Sequence, residues 1–212
     1  VRNEPRTSTR KGFIGTMTPF PLSTAEVHAF VSDAFGEDLG VKGDITAQAV
    51  IAPTQQLSAD ITAREPLVLC GIPLAIAFFR ALSSDVNLEV LHNDGDYVEG
   101  HTSILHIHGP ARAILAAERP ALNILQHLSG IASRTHHYVE EIKGTGAQLL
   151  DTRKTIPGYR RLAKYATNCG GAKNHRMGLY DAILIKDNHI AVQGSIQKAI
   201  QAAQEAGHKD IE

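Results

Sequence analysis

The chain lacks the residues that mark several classes of protein. It has 212 residues and no tryptophan, aromatic residues make up 5%, and cysteine occurs only as Cys70 and Cys169. Two cysteines so far apart in the sequence cannot supply a disulfide framework, and no CxxC cluster suggests a zinc site. The cysteine content therefore predicts a protein of the reducing cytoplasm.

An excess of charge and a long apolar run are also missing. The formal net charge is −1, and 43% of the residues are hydrophobic. A balanced charge argues against a nucleic-acid-binding protein. Without a continuous apolar run, no segment is expected to cross a membrane. The composition predicts a soluble chain that can bury the core of one or two domains.

Histidine is plentiful, with eleven residues scattered along the chain. His106 and His108 would share one face of a strand, which could indicate a metal pair. Exposed polar positions on an amphipathic strand are the favoured interpretation.

The first half of the chain predicts a mixed layer of helices and short strands. Ser23 and Thr24 precede apolar residues at helical spacing, so a capped helix is expected as far as Phe35. The turn-rich stretch from Gly36 is expected to lead into a short strand that ends near Ile51. The remaining elements are predicted as strands at Gln56–Ala63 and Leu67–Cys70, a helix at Ile72–Leu82, and three short strands between Leu88 and Leu115.

The second half predicts alternating helices and strands from about Ala113. Because proline is tolerated only in a first turn, Pro120 places Arg119 near the start of a helix. Strands are expected at AQLLD and AILIK, helices at YRRLAKYAT and SIQKAIQAAQEAG, and the opening of a strand at residues 209–212. This order indicates a parallel α/β unit. Three parallel strands cannot close a barrel, so we expect more chain after Glu212 or a partner that covers the sheet.

Cationic residues are concentrated between Asp151 and His189, just after or between apolar runs. They are Arg153, Lys154, His175, Arg176 and Lys186. If the strands are parallel, their C-terminal ends open on one face, where ligands bind in α/β folds. A pocket with so much positive charge predicts a polyanionic ligand.

Any one of these cations alone would more often be a solvated surface charge, but together they favour a binding site. Four residues of the neighbouring helix are instead expected on its exposed face, namely Tyr159, Arg160, Arg161 and Lys164. For Asn188 and His189, contact with substrate and capping of the following segment are equally favoured. Cys169 is expected to be a small packing residue.

Five blocks between Gly36 and His189 resemble quinolinate phosphoribosyltransferase, the decarboxylating nicotinate-nucleotide pyrophosphorylase family of NAD synthesis. They read GEDLGVKGDIT, ERPALNILQHLSGIAS, DTRKTIPG, YATNCGGAKNHRMGL and LIKDNH. The resemblance implies an N-terminal α+β sandwich domain at residues 17–122. An incomplete α/β barrel of the type II phosphoribosyltransferase kind would follow at residues 123–212. Residues 1–16 are expected to be a disordered or vector-derived tail.

The resemblance also implies a reaction. Quinolinate and phosphoribosyl pyrophosphate would give nicotinate mononucleotide, pyrophosphate and carbon dioxide, with Mg²⁺ as cofactor. The enzyme would be a homodimer or higher homo-oligomer, and Arg119 would reach the active site of the neighbouring subunit. The implied catalytic residues are Lys154 and Lys186. The implied substrate-binding residues are Arg119, Thr152, Arg153, Lys154, His175, Arg176 and Lys186.

Two positions depart from the family pattern. Pro120 stands where a threonine is common, and Ala172 replaces the third glycine of a CGGG-like run. Ala172 would stiffen the loop before His175 if that position needs a positive φ. The acidic ligands of Mg²⁺ are expected in chain beyond Glu212.

Two other functions remain open at the level of sequence. One is a paralogue of the same fold that is associated with molybdenum uptake and takes another substrate. The other is a truncated, non-catalytic dimer scaffold. The presence of Arg119 together with Arg153 and Arg176 favours a dicarboxylate ligand over the paralogue's substrate.

Overall fold

The computed structural model describes residues 18–212, so the tail expected at residues 1–16 lies outside the described part. The first element is helix α1, Thr24–Leu39. Ser23 begins it with a capping box, in which the Glu26 amide donates to the Ser23 hydroxyl and the Ser23 amide donates to the Glu26 carboxylate. The expected capped helix is confirmed and extends four residues beyond Phe35.

The strand expected before Ile51 is wrong, because this segment is the short helix α2, Ile45–Val50. The carboxylate of Asp44 accepts a hydrogen bond from the Ala47 amide at 2.9 Å, and this N-cap starts a helical turn. The guanidinium of Arg112 donates to the Ile51 carbonyl through its Nε at 2.8 Å. This contact attaches the end of α2 to a helix far along the chain.

The strands of the first half form two antiparallel sheets. Their order along the chain is β1 (Gln56–Thr62), β2 (Leu67–Val68), helix α3 (Ile72–Leu82), β3 (Asn87–Val90), β4 (Tyr97–Val98) and β5 (Ser103–Pro110). The larger sheet has the order β1-β5-β3, and β2 pairs with β4. The predicted strands and the predicted helix are confirmed here.

One face of the larger sheet and helix α3 both contribute to a single hydrophobic core. Alternate residues of β1 are exposed, so Leu57 and Ile61 turn toward the core while Ser58 and Asp60 turn toward solvent. On α3, Phe78 is fully buried, and the ring of Phe35 meets it edge-on at a centroid distance of 5.4 Å. Helix α1 is thereby packed on α3.

A single helix of 31 residues, α4 (Ala111–Glu141), joins the two halves. Pro120 is buried inside this helix, so the expectation that Arg119 lies near a helix start is wrong. Tertiary packing outweighs the local cost of the proline, since α4 contacts α1, α2, α3 and three of the strands. The expected domain boundary at residues 122 and 123 falls within this helix and stays a prediction.

The second half contains parallel pairing, but only at two isolated bridges. Leu150 pairs with Lys173, and Ile183 pairs with Ile211, both in parallel orientation. Parallel geometry is therefore confirmed, whereas the full strands expected at AQLLD and AILIK are not formed. Parallel strands are stable where both faces of the sheet are covered, but Leu150 remains 48% exposed. Incomplete cover therefore accounts for an isolated bridge in place of a full strand. The described residues contain no closed barrel.

Three helices complete the chain, namely α5 (Arg160–Cys169), α6 (Asp187–Gln193) and α7 (Ile196–Glu205). Helices α5 and α7 confirm their predictions, and α6 was not expected as a separate helix. Helix α5 packs on α4 and brings Cys169 next to Cys70, so that the Cys70 thiol donates to Cys169 Sγ at 3.7 Å. Cys169 is buried, as expected of a packing residue. No helix among residues 18–212 is long and apolar enough to span a membrane.

Candidate functional site

The cationic segments meet where the two parallel bridges end. Residues 152–154 follow Asp151, whose amide donates to the Lys173 carbonyl at 3.1 Å. His175 and Arg176 come two and three residues after Lys173. Lys186 follows Ile185, whose amide donates to the Glu212 carbonyl at 2.7 Å. The expected convergence of these segments is thus present in the structure.

Asp151 ties the first two segments together. One carboxylate oxygen accepts from the His175 amide at 2.8 Å and pairs with the Lys164 ammonium. The other oxygen accepts from the Asn174 side-chain amide at 2.7 Å. Because one side chain holds Lys164 of α5 and the adjacent residues Asn174 and His175, the loop at His175 has a defined position relative to Thr152.

His175 and Arg176 are also attached to the third segment. The ring Nε2 of His175 lies 2.7 Å from a carboxylate oxygen of Glu212. The Arg176 guanidinium donates through Nη1 to the Ala182 carbonyl at 3.0 Å. These contacts place His175 and Arg176 beside the bridge that leads to Lys186.

Two guanidinium groups retain unused hydrogen-bonding capacity. The Nε atoms of Arg153 and Arg176 are buried, and within residues 18–212 neither has a hydrogen-bond partner. Buried polar atoms are nearly always satisfied, and each exception calls for an explanation such as a missing ligand. A planar, charged Nε–H group suits a carboxylate or phosphate oxygen.

A cleft of about 310 Å³ lies against the first segment and includes Thr152 and Lys154 in its lining. Helix α4 contributes His127 and helix α5 contributes Tyr159, whose rings meet at a centroid distance of 5.1 Å. Burial, reinforced by the nearby Cys70, raises the pKa of Tyr159 to about 12. The Tyr159 hydroxyl is therefore a neutral donor near pH 7.

Arg119 differs from the other predicted site residues in its element, because it lies on the long helix α4. Its side chain is exposed on α4, whereas the residues of α4 that line a second, adjoining cleft of about 540 Å³ begin at Gln126. Seven helical residues separate the two positions, or about 10 Å. Arg119, Arg153 and His175 line neither cleft.

No metal site is formed by the described residues. Among residues 18–212, no group of three or more histidine, cysteine, aspartate or glutamate side chains is placed to hold an ion. On the sheet surface His106 lies 2.6 Å from Asp60, and His108 lies 2.9 Å from Ser58. These contacts support the interpretation of the two histidines as polar positions on an exposed strand face.

The sequence interpretation missed the residues that organise the site. Lys164 was expected on an exposed helix face, but it is 1% exposed, and Arg161 of the same face pairs with Glu26. Nothing in the periodicity of α5 reveals this, because the partner Asp151 lies thirteen positions earlier on another segment. For His189 the capping alternative is supported, since its Nδ1 accepts from the Lys186 amide at 3.0 Å.

Ala172 does not strain the loop that precedes His175. Among residues 18–212, only His101 is a non-glycine residue with a positive φ, so position 172 has no need of glycine. Gly171 does adopt a φ of 99°. The stiffening considered for Ala172 therefore has no basis in this backbone.

Fold and site together define a class of protein, an α+β layer joined to an α/β unit with parallel bridges and a cluster of cationic residues. Comparison of the sequence with models of known families identifies the family. Residues 44–129 match the model described as quinolinate phosphoribosyl transferase, N-terminal domain, and residues 131–212 match the corresponding C-terminal domain. The chain belongs to the quinolinate phosphoribosyl transferase family.

Individual relatives agree with this assignment. The chain is 43% identical over 188 residues to the probable nicotinate-nucleotide pyrophosphorylase [carboxylating] of Bacillus subtilis, covering 88% of this chain and 64% of that protein. It is 40% identical over 175 residues to the enzyme of the same name from Mycobacterium leprae, covering 82% and 62%. The chain thus spans less than two thirds of the length of these relatives.

Solved structures show the same fold. The nicotinate-nucleotide pyrophosphorylase of Francisella tularensis superposes with a TM-score of 0.84 at 39% identity, covering 93% of this chain and 70% of that one. The protein of the same name from Ehrlichia chaffeensis gives a TM-score of 0.80 at 40% identity, covering 87% and 66%.

Proposed function

We propose that this chain carries the quinolinate-binding part of a quinolinate phosphoribosyltransferase. The enzyme would transfer phosphoribose from phosphoribosyl pyrophosphate to quinolinate, with loss of carbon dioxide, and would yield nicotinate mononucleotide for NAD synthesis. The observation that carries the proposal is the pair of buried Nε–H groups on Arg153 and Arg176, which have no hydrogen-bond partner among residues 18–212. Family membership and the names of the relatives support the same reaction.

A pyridine dicarboxylate suits these two arginines. Quinolinate has two adjacent carboxylates, and a guanidinium binds a carboxylate through parallel hydrogen bonds in one plane. His175 lies next to Arg176 in the sequence and could donate to the same ligand. Lysine offers a point charge instead, which suits the phosphates of the donor. Lys154 and Lys186 are therefore proposed to contact the donor and the reacting centre.

The proposed reaction requires charge stabilisation more than acid–base catalysis. Departure of pyrophosphate from the ribose leaves an oxocarbenium-like centre, and fixed cations stabilise the leaving group. After the pyridine nitrogen is alkylated, its positive charge stabilises the carbanion that forms when the adjacent carboxylate leaves as carbon dioxide. The carbanion then takes up a proton from water, which gives the product. A site composed of arginine, lysine and histidine fits these demands.

Magnesium and the oligomer belong to the proposal. Mg²⁺ is commonly bound by one or two carboxylates together with substrate phosphates. In the part of the chain that the structure describes, no group of three or more histidine, cysteine, aspartate or glutamate side chains is placed to hold an ion, and Glu212 contacts His175. We propose that Mg²⁺ accompanies the donor's pyrophosphate. We also propose a homodimer or higher homo-oligomer, in which Arg119 serves the neighbour's site, consistent with its exposure on α4.

The compartment is likewise proposed as the reducing cytoplasm. Cys70 and Cys169 remain free although their sulfur atoms lie 3.7 Å apart, which is compatible with a reducing environment.

Quinolinate binding tests the proposal directly. Calorimetry on this chain should show binding of quinolinate that is lost for pyridine-3-carboxylate, which lacks the second carboxylate. The Bacillus subtilis relative, assayed alongside, provides the reference for release of pyrophosphate and carbon dioxide. No binding of quinolinate by a folded chain would reject the proposal and favour the non-catalytic scaffold. Preference for an unrelated anion over quinolinate would favour the paralogue with another substrate.

A further inference from the structure

Lys164 is the most deeply buried charged residue in the described part of the chain. Its side chain is 2% exposed, and its ion-pair partner Asp151 is 3% exposed. Neither residue is among those proposed above to touch substrate. A buried, charged pair that no other part of the function uses needs a physical account.

The Lys164–Asp151 pair joins the two loops that present the arginines. The Lys164 ammonium donates to the carbonyl of His175 at 3.1 Å, while Asp151 accepts from the amide of the same residue at 2.8 Å. Both backbone polar groups of His175 are thus held by the pair. Asp151 is itself the residue immediately before Thr152 and Arg153, so the pair spans the gap between the arginine loops.

Further hydrogen bonds fix the orientation of the pair. The Asn174 amide donates both to Asp151 at 2.7 Å and to the carbonyl of Lys164 at 2.8 Å. The Thr167 hydroxyl lies 3.4 Å from the second oxygen of Asp151. Helix α5 is therefore connected to both loops through a closed set of contacts.

Net stability does not explain such an arrangement. Removing two charges from water costs several kcal/mol per ion, and replacing a buried pair by apolar residues is often neutral or stabilising. What a buried pair provides is a defined geometry, because its hydrogen bonds are satisfied in only one arrangement. The geometry it defines here is the separation between Arg153 and the His175–Arg176 segment.

We propose that Lys164 and Asp151 are positioning residues, which set the spacing of the arginines that bind the ligand without touching it. The proposal rests on the proposed function for the identity of the ligand, quinolinate. Its structural part, the ordering of the two loops by the pair, does not depend on that identity.

The test compares three variants of the whole chain. Lys164→Met removes the ammonium and keeps an unbranched side chain. Lys164→Met combined with Asp151→Asn leaves no uncompensated charge, so it provides a folded variant if the single substitution unfolds. The matched control is Arg161→Met, which removes another ion pair of helix α5, the one with Glu26, without contacting either loop.

Two measurements are made at a temperature where each variant is folded. Amide hydrogen exchange should become faster at residues 152–155 and 174–177 in both Lys164 variants and remain unchanged there in Arg161→Met. Calorimetry should show quinolinate affinity reduced on the order of tenfold to a hundredfold in the Lys164 variants alone, because small displacements of binding groups are costly.

The outcomes separate this proposal from the proposed function. Unchanged exchange in both loops would overturn the positioning role, whatever the ligand. Faster exchange with unchanged quinolinate affinity would also overturn it, since the spacing would then not matter to binding. If the unsubstituted chain fails to bind quinolinate, the proposed function fails, and the exchange measurement still decides whether the pair orders the loops.

Discussion

Arg153 is the residue whose contribution to binding can be predicted most directly. Its Nε is buried and has no hydrogen-bond partner in the described part of the chain, so a bound carboxylate is the proposed acceptor. Arg153→Ala should weaken quinolinate binding by about 2 kcal/mol or more, because a desolvated carboxylate of the ligand would be left unpaired. Calorimetry measures the change, and Arg80→Ala on the exposed surface of α3 is the control. If the two variants bound quinolinate with equal affinity, Arg153 would not be a binding residue.

The buried environment of Asp94 leads us to expect that the stability of the fold depends on pH. Its carboxylate accepts from the amides of Gly71 and Ile72 at 2.9 Å and from the Tyr165 hydroxyl at 2.9 Å. Burial, only partly offset by these hydrogen bonds, raises its pKa above the ordinary value of 3.8. A carboxyl group with a raised pKa in the folded state stabilises that state most when protonated, so its contribution falls as pH rises through the folded pKa.

Asp94→Asn should therefore remove one source of this pH dependence. The melting temperature of the variant, relative to the unsubstituted chain, should rise as pH is raised from about 4 through the folded pKa, because only the native carboxyl group loses its proton. Thermal unfolding measured over that pH range checks the prediction. A constant difference between the two proteins across the range would contradict the raised pKa.

Helices α4 and α5 approach each other closely at Gly170, which allows a prediction at the level of elements. A Cβ atom at this position would lie 2.3 Å from the Ala132 carbonyl oxygen and 2.6 Å from Cβ of Thr135. Gly170→Ala should therefore destabilise the fold by about 1–3 kcal/mol, through displacement of one helix from the other. Gly170 has a φ of −77°, so the effect would come from packing and not from backbone strain.

Gly130 is the matched control on α4, because nothing lies within 4 Å of the position of its Cβ. Gly130→Ala should stabilise the chain by about 0.5–1 kcal/mol, the usual gain from alanine in a helix. Urea unfolding of both variants measures the two effects. If Gly170→Ala were stabilising to the same degree, the close approach of α4 and α5 would be wrong.

Assembly is the property of the whole molecule on which the role of Arg119 depends. If Arg119 serves the neighbouring subunit, a dimer of one Arg119→Ala chain and one Lys186→Ala chain, both extended to the full length of the relatives, has one site with neither substitution. Random exchange between the two inactive variants should then restore about a quarter of the active sites. Turnover after verified subunit exchange is the measurement, and two copies of the same variant are the control. Exchange without any recovery would argue against a shared site.

Local sequence signals were sufficient for most elements of the first half. The helix at Ile72–Leu82 has its predicted bounds, and the alternation of Gln56–Thr62 predicted its strand. The same kind of reasoning was wrong for Pro120, because a local rule about proline does not include the tertiary contacts that keep α4 helical on both sides of it. It was wrong for the helix after Asp44 because a six-residue segment carries too little periodicity to distinguish helix from strand.

The sequence alone determined which residues could bind an anion, because the cationic character of arginine, lysine and histidine depends on residue type. The sequence blocks that contain them also identify the family. The tertiary structure decided how these residues are held. Lys164 and Asp151 meet only after α5 folds back along α4, and Cys70 meets Cys169 through the same packing. Such contacts join residues far apart along the chain, so no local pattern encodes them. They exist because burying the apolar faces of α4 and α5 leaves one arrangement in which the enclosed polar groups are also satisfied.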